Sequence, residues 1–411
     1  MQQPGACRFC GAALRDTFVD LGMSPLCESY LNRDQLNEME PFYPLHVYVC
    51  AQCFLVQLEE YVSPVDIFTE YAYFSSYADT WLRHASDYTD RMIARFGLSA
   101  ASQVVEVASN DGYLLQYFVA HGIPALGIEP AANVAKVALD KGVPTLVEFF
   151  GVACAQRLRA AGQAADLLVG NNVLAQVPDL NDFVAGLQLL LKPQGVITLE
   201  FPHLMQLMAG NQFDTLYHEH FSYFSFITTQ KILAAHNLTV FDVEALPTHG
   251  GSLRIYACHQ DNSSKPMSAR VAALYQHEME AGFTQMGCYA AFAEQVKATK
   301  RSLLAFLIEA KRAGKQIVGY GAPGKGNTLL NYCGIRSDFL DYTVDRNPYK
   351  QGKFLPGTHI PIYSPDKIAQ TRPDYVLILP WNFKDEIMQQ LAYVRQWGAQ
   401  FVIPIPTVTV V

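Results

Sequence analysis

Tyr217-His218-Glu219-His220 places a phenol, a carboxylate and two imidazoles side by side in the chain. Imidazole titrates near neutral pH, so it can take a proton in water at physiological pH. A phenol beside it donates a hydrogen bond, and a carboxylate can orient or tune the ring. The string suits proton abstraction, but it also suits a metal site or a polar surface loop. The metal reading is the weaker one, because His-x-His with one acid lacks an evident further ligand.

Metal chemistry is written more plainly elsewhere. Of nine cysteines, four come as the pairs Cys7-Arg-Phe-Cys10 and Cys50-Ala-Gln-Cys53. Each pair lets two thiolates turn toward one ion, and two such knuckles complete a tetrahedral all-sulfur site. The expectation is one structural zinc on Cys7, Cys10, Cys50 and Cys53; with its coordination full, the ion does no chemistry. Cys27, Cys154, Cys258, Cys288 and Cys333 are scattered and read as inert.

Two loops suit nucleotide-like ligands, and they differ. Glu106-Val107-Ala108-Ser109-Asn110-Asp111-Gly112 follows a strand-like run and carries acids with a single glycine. Phosphate would be repelled there, whereas the ammonium and sulfonium of S-adenosylmethionine would not. Glu129-Pro130 ends a second strand, where a carboxylate can hold a ribose diol. Glu148, Phe149 and Phe150 follow a third, where they could flank an adenine. Asn171-Asn172 closes a fourth. Ordinary loop carboxylates and a buried Phe pair are the bland alternative.

The other loop, Gly319-Tyr-Gly321-Ala-Pro-Gly324-Lys325-Gly326-Asn327, fits GxGxxG, and Asp345 follows a strand about 20 residues on, as a dinucleotide site requires. It also fits GxxxxGK, but Gly326 stands where a P-loop needs Ser or Thr. Gly321, Lys325 and Asn327 at a helix start would suit a diphosphate, either a dinucleotide's or an activated substrate's. The nicotinamide reading is an oxidoreductase or epimerase of nucleotide sugars. Tyr349 and Lys353 have the Tyr-x-x-x-Lys spacing of such enzymes, but flanking Pro and Gly argue for a loop.

These residues need elements to hold them. Strand-like Val104–Val107, Ala125–Ile128, Asp166–Val169 and Gly195–Leu199 alternate with helical stretches, the signature of a doubly wound parallel sheet. Leu238–Leu246 and Ser252–Ala257 then form a late strand pair around Gly250-Gly251, as in methyltransferase sheets whose last strand is antiparallel. After a polar linker (260–267) and a helical region (268–313), a second βα series begins at Gln316–Tyr320. The expected fold is α/β in three parts: a zinc-binding module at 1–75, a Rossmann-like donor domain at 76–262 and a second Rossmann-like domain at 263–411. At 411 residues the chain is too long for one core. A net charge of −8 with no basic run disfavours nucleic acid. No apolar stretch is long enough to span a bilayer, and MQQPGACRFC has no leader pattern, so a soluble cytoplasmic protein is expected.

Taken in order, ASNDGYLLQYF, GIEPAANVA, NNVLAQVPDLNDF, EFPHL, QFDTLYHEHFSYFS and LPTHGGSLRIY resemble the S-adenosylmethionine-dependent sugar C-methyltransferases of deoxysugar biosynthesis. The cysteine pairs, YGAPGKGNTLLNY, DYTVDRNPYKQGKFLPGTHIPI and DYVLILPWNFKDEI belong to the same resemblance, which covers nearly the whole chain. It implies methyl transfer to the carbon beside a ketone, typically C3 of a nucleoside-diphosphate-linked (commonly dTDP-linked) 4-keto-6-deoxy sugar. It further implies His220 as base, Tyr217 as hydroxyl donor and Glu219 as the orienting residue, with His218 turned away if the segment is extended. Tyr71, Ser75 and Tyr77 would approach donor and sugar, with His203 and His249 as further cleft residues. One departure stands out: Gln176 occupies the place of a histidine in NNVLAHVPD, and glutamine is neither acid nor base.

Overall fold

The computed structural model describes residues 5–68, 74–77 and 79–411. They divide into two compact units, one of residues 1–15, 50–204 and 221–286, the other of residues 16–49, 205–220 and 287–411.

The first unit is built on a seven-stranded sheet. Its strands lie in the order Leu238–Leu246, Ser252–His259, Leu191–Pro202, Ala165–Asn171, Val104–Val107, Ala125–Ile128, Thr145–Leu146. Ser252–His259 runs antiparallel to both of its neighbours, and the other pairings are parallel. This is the late antiparallel insertion anticipated from the sequence. Strands covered by helices on both faces must be apolar throughout, and Val104–Val107 is buried at every position. Glu106 is the one charge in that strand, so its burial needs a reason. Helices Leu180–Leu190 and Phe226–Ala235 start on side-chain caps, Asp179 accepting from the Asp182 amide and Ser225 from the Thr228 amide. Val56–Leu58 pairs antiparallel with Ser222–Tyr223.

The second unit carries a six-stranded sheet: Ile362–Tyr363, Thr343–Val344, Ile317–Tyr320, Tyr375–Ile378, Gln400–Ile403, Thr409–Val410. In chain order that is 3-2-1-4-5-6, the dinucleotide-fold order, with only the last pairing antiparallel. The hairpin Asp16–Ser24/Tyr43–Val49 belongs to the same unit, and Phe18 stacks on Phe292 of the helix Phe292–Arg312 at 4.6 Å. Tyr349 and Lys353 lie in a turn region, not one turn apart on a helix. Among the described residues no helix is long and apolar enough to cross a membrane.

Candidate active site

The four paired cysteines meet in the first unit. Their sulfurs all lie within 4.8 Å of one another, with Cys7–Cys53 and Cys10–Cys50 at 3.5 Å. Zn–S bonds of about 2.3 Å in a tetrahedron put sulfurs roughly 3.8 Å apart, so the set fits the ion. The two knuckles share one backbone pattern. Cys7 N donates to Ala12 O and Gly11 N to Cys7 O; Cys50 N donates to Leu55 O and Phe54 N to Cys50 O. Each then places the residue after its second cysteine at positive φ, Gly11 at 75° and Phe54 at 65°. Gln57 Nε2 donates to the Cys7 sulfur at 3.1 Å, the kind of outer contact that steadies a metal ligand.

The acidic loop lies at the carboxyl end of Val104–Val107 in the same unit. Ala108 (56°), Asn110 (48°) and Gly112 (74°) all have positive φ, giving a tight wrap. At Gly112 a Cβ would press Ala138 and Val143 at 3.1 Å, so this glycine is required by packing as well as by φ. Glu129 ties the loop down, accepting from Asn110 N at 3.0 Å and Ala131 N at 2.9 Å. Asn110 Oδ1 in turn accepts from Ser75 N at 2.9 Å. Glu106 is fully buried, and among the described residues neither of its oxygens takes a hydrogen bond of ordinary geometry, although Tyr113 eases its charge. Burial pushes its carboxyl well above the usual range, and repulsion from Glu129 and Asp111 adds to this. Asp111 Oδ1, Asn171 Oδ1 and Asn172 Oδ1 are likewise buried acceptors without partners among the described residues. Such an excess of acceptors calls for a ligand rich in donors and positive charge. S-adenosylmethionine fits; a diphosphate does not.

Glu148 pairs with Arg157, Phe149 is exposed, and Phe150 packs edge-on against Phe183. Asn172, at φ 56°, donates from Nδ2 to His249 Nε2 at 3.2 Å, and His249 is itself at φ 53°. Two strained non-glycine residues in contact, one at a strand end and one in the turn before the antiparallel strand, mark this as a constrained spot. Gln176 is half-buried on the short helix Leu174–Gln176. His203 is buried and bonded to Glu278 at 2.6 Å; the same carboxylate caps Phe226 N and Ile227 N. Its imidazole therefore has a structural partner. Tyr71 lies outside the described residues, and Tyr77 is described for its backbone alone.

Tyr217–His220 belongs to the second unit. It is a turn and not an extended segment: His220 N donates to Tyr217 O at 2.9 Å. The reason is His218, whose buried ring donates to the Pro44 carbonyl at 3.2 Å and so pins the middle of the turn. Burial keeps that ring below the ordinary histidine range, hence neutral. The turn brings the Tyr217 and His220 rings to 4.3 Å. Glu219 is buried beside the Cys27 thiol, which donates to Oε1 at 3.6 Å. Burial, helped by repulsion from Glu28, pushes the Glu219 carboxyl up to about 8, so it holds a proton at neutral pH.

The glycine-rich loop, in that unit too, has partners from its own surroundings. Asp345 Oδ2 accepts from Ala322 N at 2.7 Å, the carboxylate a ribose would have needed. Lys325 Nζ donates to Asn382 Oδ1 at 2.9 Å and sits over the Trp381 ring. Asn327 Nδ2 donates to Cys27 O at 2.6 Å. The groups set aside for a diphosphate are engaged inside the unit.

With this geometry in hand, three family models match the chain: a zinc binding domain over residues 7–68, a methyltransferase domain over 81–243 and a C-methyltransferase C-terminal domain over 247–406. The C-methyltransferase NovU of Streptomyces niveus is 35% identical over 97% of this chain and 95% of its own. The chain belongs to the C-methyltransferase family. It is an enzyme that depends on S-adenosylmethionine, with a zinc-binding cysteine cluster. Among solved structures, magnesium protoporphyrin IX methyltransferase of Synechocystis PCC 6803 with bound SAM is 14% identical, with a TM-score of 0.34 over 43% of this chain and 79% of that one. A Haloferax volcanii methyltransferase in complex with the Trm112 activator is 13% identical, with a TM-score of 0.35 over 44% and 94%.

In this C-methyltransferase several buried partners have no signature in the sequence. Cys27 reads as inert in the sequence, yet it touches Glu219 from 192 residues away. No spacing rule bridges that distance. Trp81 stacks on Tyr113 at 5.9 Å and lies edge-on to His249 at 5.3 Å. Behind it, fully buried Arg254 and Glu200 pair at 2.8 Å, with His84 donating to Glu200 at 3.0 Å and Thr248 to its other oxygen. That network holds the turn carrying His249. The one available signal was a pair of charges in otherwise apolar strands.

Proposed function

We propose that this C-methyltransferase acts on the carbon beside the ketone, C3, of a nucleoside-diphosphate-linked 4-keto-6-deoxy sugar in the cytoplasm, with dTDP as the carrier. His220 takes the C3 proton onto its ring as negative charge moves to the ketone oxygen. Tyr217 donates a hydrogen bond to that oxygen, and Glu219, protonated at neutral pH, orients the pair. S-adenosylmethionine supplies the methyl group that the carbon nucleophile captures. Glu106, Asp111 and Glu129 hold its cationic and diol groups, and Asn172, Gln176 and His249 offer polar contacts to the sugar. His220 then returns its proton to solvent.

The observation that carries this reading is the close pairing of Tyr217 and His220 on a turn whose third member is a buried carboxyl. The nicotinamide alternative loses support because Asp345 already accepts from the loop's own Ala322 amide. His220→Asn tests the proposal. Methyl transfer, and solvent deuterium exchange at C3 measured without donor, should both fall by about 10³-fold, within the usual range for a general base. Donor affinity should stay within about twofold; if exchange survives the substitution, His220 is not the base.

A further inference from the structure

A dinucleotide loop owes its glycines to a ligand: the backbone must approach pyrophosphate, and a Cβ would be in the way. The glycines of Gly319–Asn327 have a different reason. A Cβ on Gly319 would meet Thr343 Oγ1 at 2.6 Å, and on Gly321 it would meet Pro380 Cδ at 2.5 Å. On Gly324 it would meet Cys27 Sγ at 2.8 Å and Glu28 Oε1 at 3.1 Å, and on Gly326 Leu379 Cβ at 3.0 Å. Each close approach is made by the protein itself. At the helix start, where phosphate would sit, there is a carboxylate, Glu28, paired with Lys350 at 3.3 Å.

What this loop and its helix, Gly324–Cys333, do hold is the segment that ends in the Tyr217–His220 turn. Thr328 Oγ1 donates to Leu216 O at 3.1 Å, immediately before Tyr217. The Phe213 and Tyr332 rings meet edge-on at 5.5 Å. Fully buried Asp214 accepts from Trp381 Nε1 at 2.7 Å, and Trp381 carries the Lys325 ammonium over its ring at 4.7 Å. Lys325 and Asp214 attract one another across this cluster. Asn327 and the bare Cα of Gly324 fix Cys27, which fixes Glu219.

We infer that the glycine-rich loop of the second sheet is a seat for the Tyr217–His220 turn, not a nucleotide site, and that Lys325 and Thr328 are positioning residues within it. The inference rests on the role proposed for His220, and it assigns a reaction-supporting purpose to a motif whose pattern advertises a cofactor. Displacing the turn by a fraction of an ångström slows proton removal without touching how the substrate's nucleotide is bound.

Three measurements on the 411-residue chain test it. NADH and dTDP serve as probes by calorimetry against wild type and Gly324→Ala; for NADH no binding is expected, and for dTDP equal affinity in both proteins. Saturable NADH binding, or dTDP binding that Gly324→Ala weakens tenfold, overturns the inference. Lys325→Ala and Thr328→Val should lower kcat for methyl transfer, and donor-free exchange at C3, by about 10- to 100-fold, with KM for the sugar nucleotide within about threefold. A KM raised tenfold or more at unchanged kcat returns the loop to diphosphate binding and sinks the seat. Thr328→Val removes one hydroxyl at constant volume, so it decides the matter if Gly324→Ala or Lys325→Ala does not fold. His220→Asn alongside separates the failures. Exchange that survives His220→Asn removes the base, whereas exchange lost there but intact in Lys325→Ala and Thr328→Val removes only the seat.

Discussion

The chain contains two sheets of nucleotide-binding type, and the loops that follow Val104–Val107 in one and Ile317–Tyr320 in the other have different fates. In the first, Glu106, Asp111 and Asn171 bury oxygens that take no hydrogen bond of ordinary geometry among the described residues. In the second, Asp345, Lys325 and the glycines are partnered by Ala322, Asn382, Pro380 and Cys27. An orphaned buried acceptor costs about 1–3 kcal/mol, so it is retained where a ligand will meet it. A satisfied one needs no ligand. Strand order speaks for a nucleotide fold in both sheets; among the described residues the orphaned acceptors cluster at the first loop, whereas the second carries Asn327 Oδ1 alone.

The largest effect expected sits on the first unit alone. Its cysteine cluster is the one metal-competent group of His, Cys, Asp and Glu among the described residues. Metal analysis should find about one zinc per chain, and stripping it should cost several kcal/mol of stability, since structural zinc contributes directly to folding. Thermal melting with and without a chelator measures this. Protein that carries no zinc and melts unchanged would remove the four-thiolate site.

Next in size is donor affinity. Glu106→Gln and Glu129→Gln should weaken S-adenosylmethionine by about 10- to 100-fold each, the loss of a charge-assisted contact. Asp345→Asn, in the second loop, should leave donor affinity alone. Titration calorimetry of the three variants sharpens the contrast, and equal losses in all three would erase it.

Much of this contrast lay beyond the reach of pattern. Val104–Val107, Ala125–Ile128 and Leu238–Leu246 match their observed bounds because buried strands are apolar runs between turn residues. The cysteine pairs were legible because two knuckles with one spacing admit few other meanings. The short strand Ile362–Tyr363 and the hairpin strand Asp16–Ser24 were not, being too short or too mixed in polarity to show a period. The GxGxxG match identified a strand–loop–helix correctly and said nothing of what fills the loop, because Cys27, Glu28 and Pro380 are distant in sequence. The Tyr217–His220 string announced its chemistry while hiding its shape: a turn pinned at His218 has no more local signature than an extended run.

A smaller effect follows from the donor loop's charge. Glu106 and Glu129 both have carboxyl groups pushed upward, by burial first in each case. A cation brought against them favours their ionised forms, so protons leave as the donor binds. Affinity for S-adenosylmethionine should therefore rise with pH, by at most about tenfold per unit for each proton released, and level off once these acids are ionised in the free protein. Calorimetry in buffers of differing ionisation enthalpy counts the protons. Proton uptake on binding, or none, would contradict the acidic-loop account.

The smallest effect belongs to Glu219 and concerns stability. Its carboxyl is raised to about 8 by burial and by Glu28, with Cys27 and Lys350 pulling the other way. Lys350 also donates to the Tyr30 hydroxyl at 2.8 Å. In the unfolded chain the same acid titrates at about 4.5. Because the native state holds the proton over a range where the unfolded state has lost it, this contribution is fully present below about 4.5 and fades as pH climbs through about 8. Across that window stability should decline with a slope of up to about 1.4 kcal/mol per pH unit from this group, and Glu219→Gln, which cannot ionise, should flatten it. Urea midpoints of wild type and Glu219→Gln between pH 5 and 8.5 give the comparison. Parallel curves would mean that Glu219 is ionised throughout, and the turn would then hold a carboxylate where the proposed mechanism needs an acid.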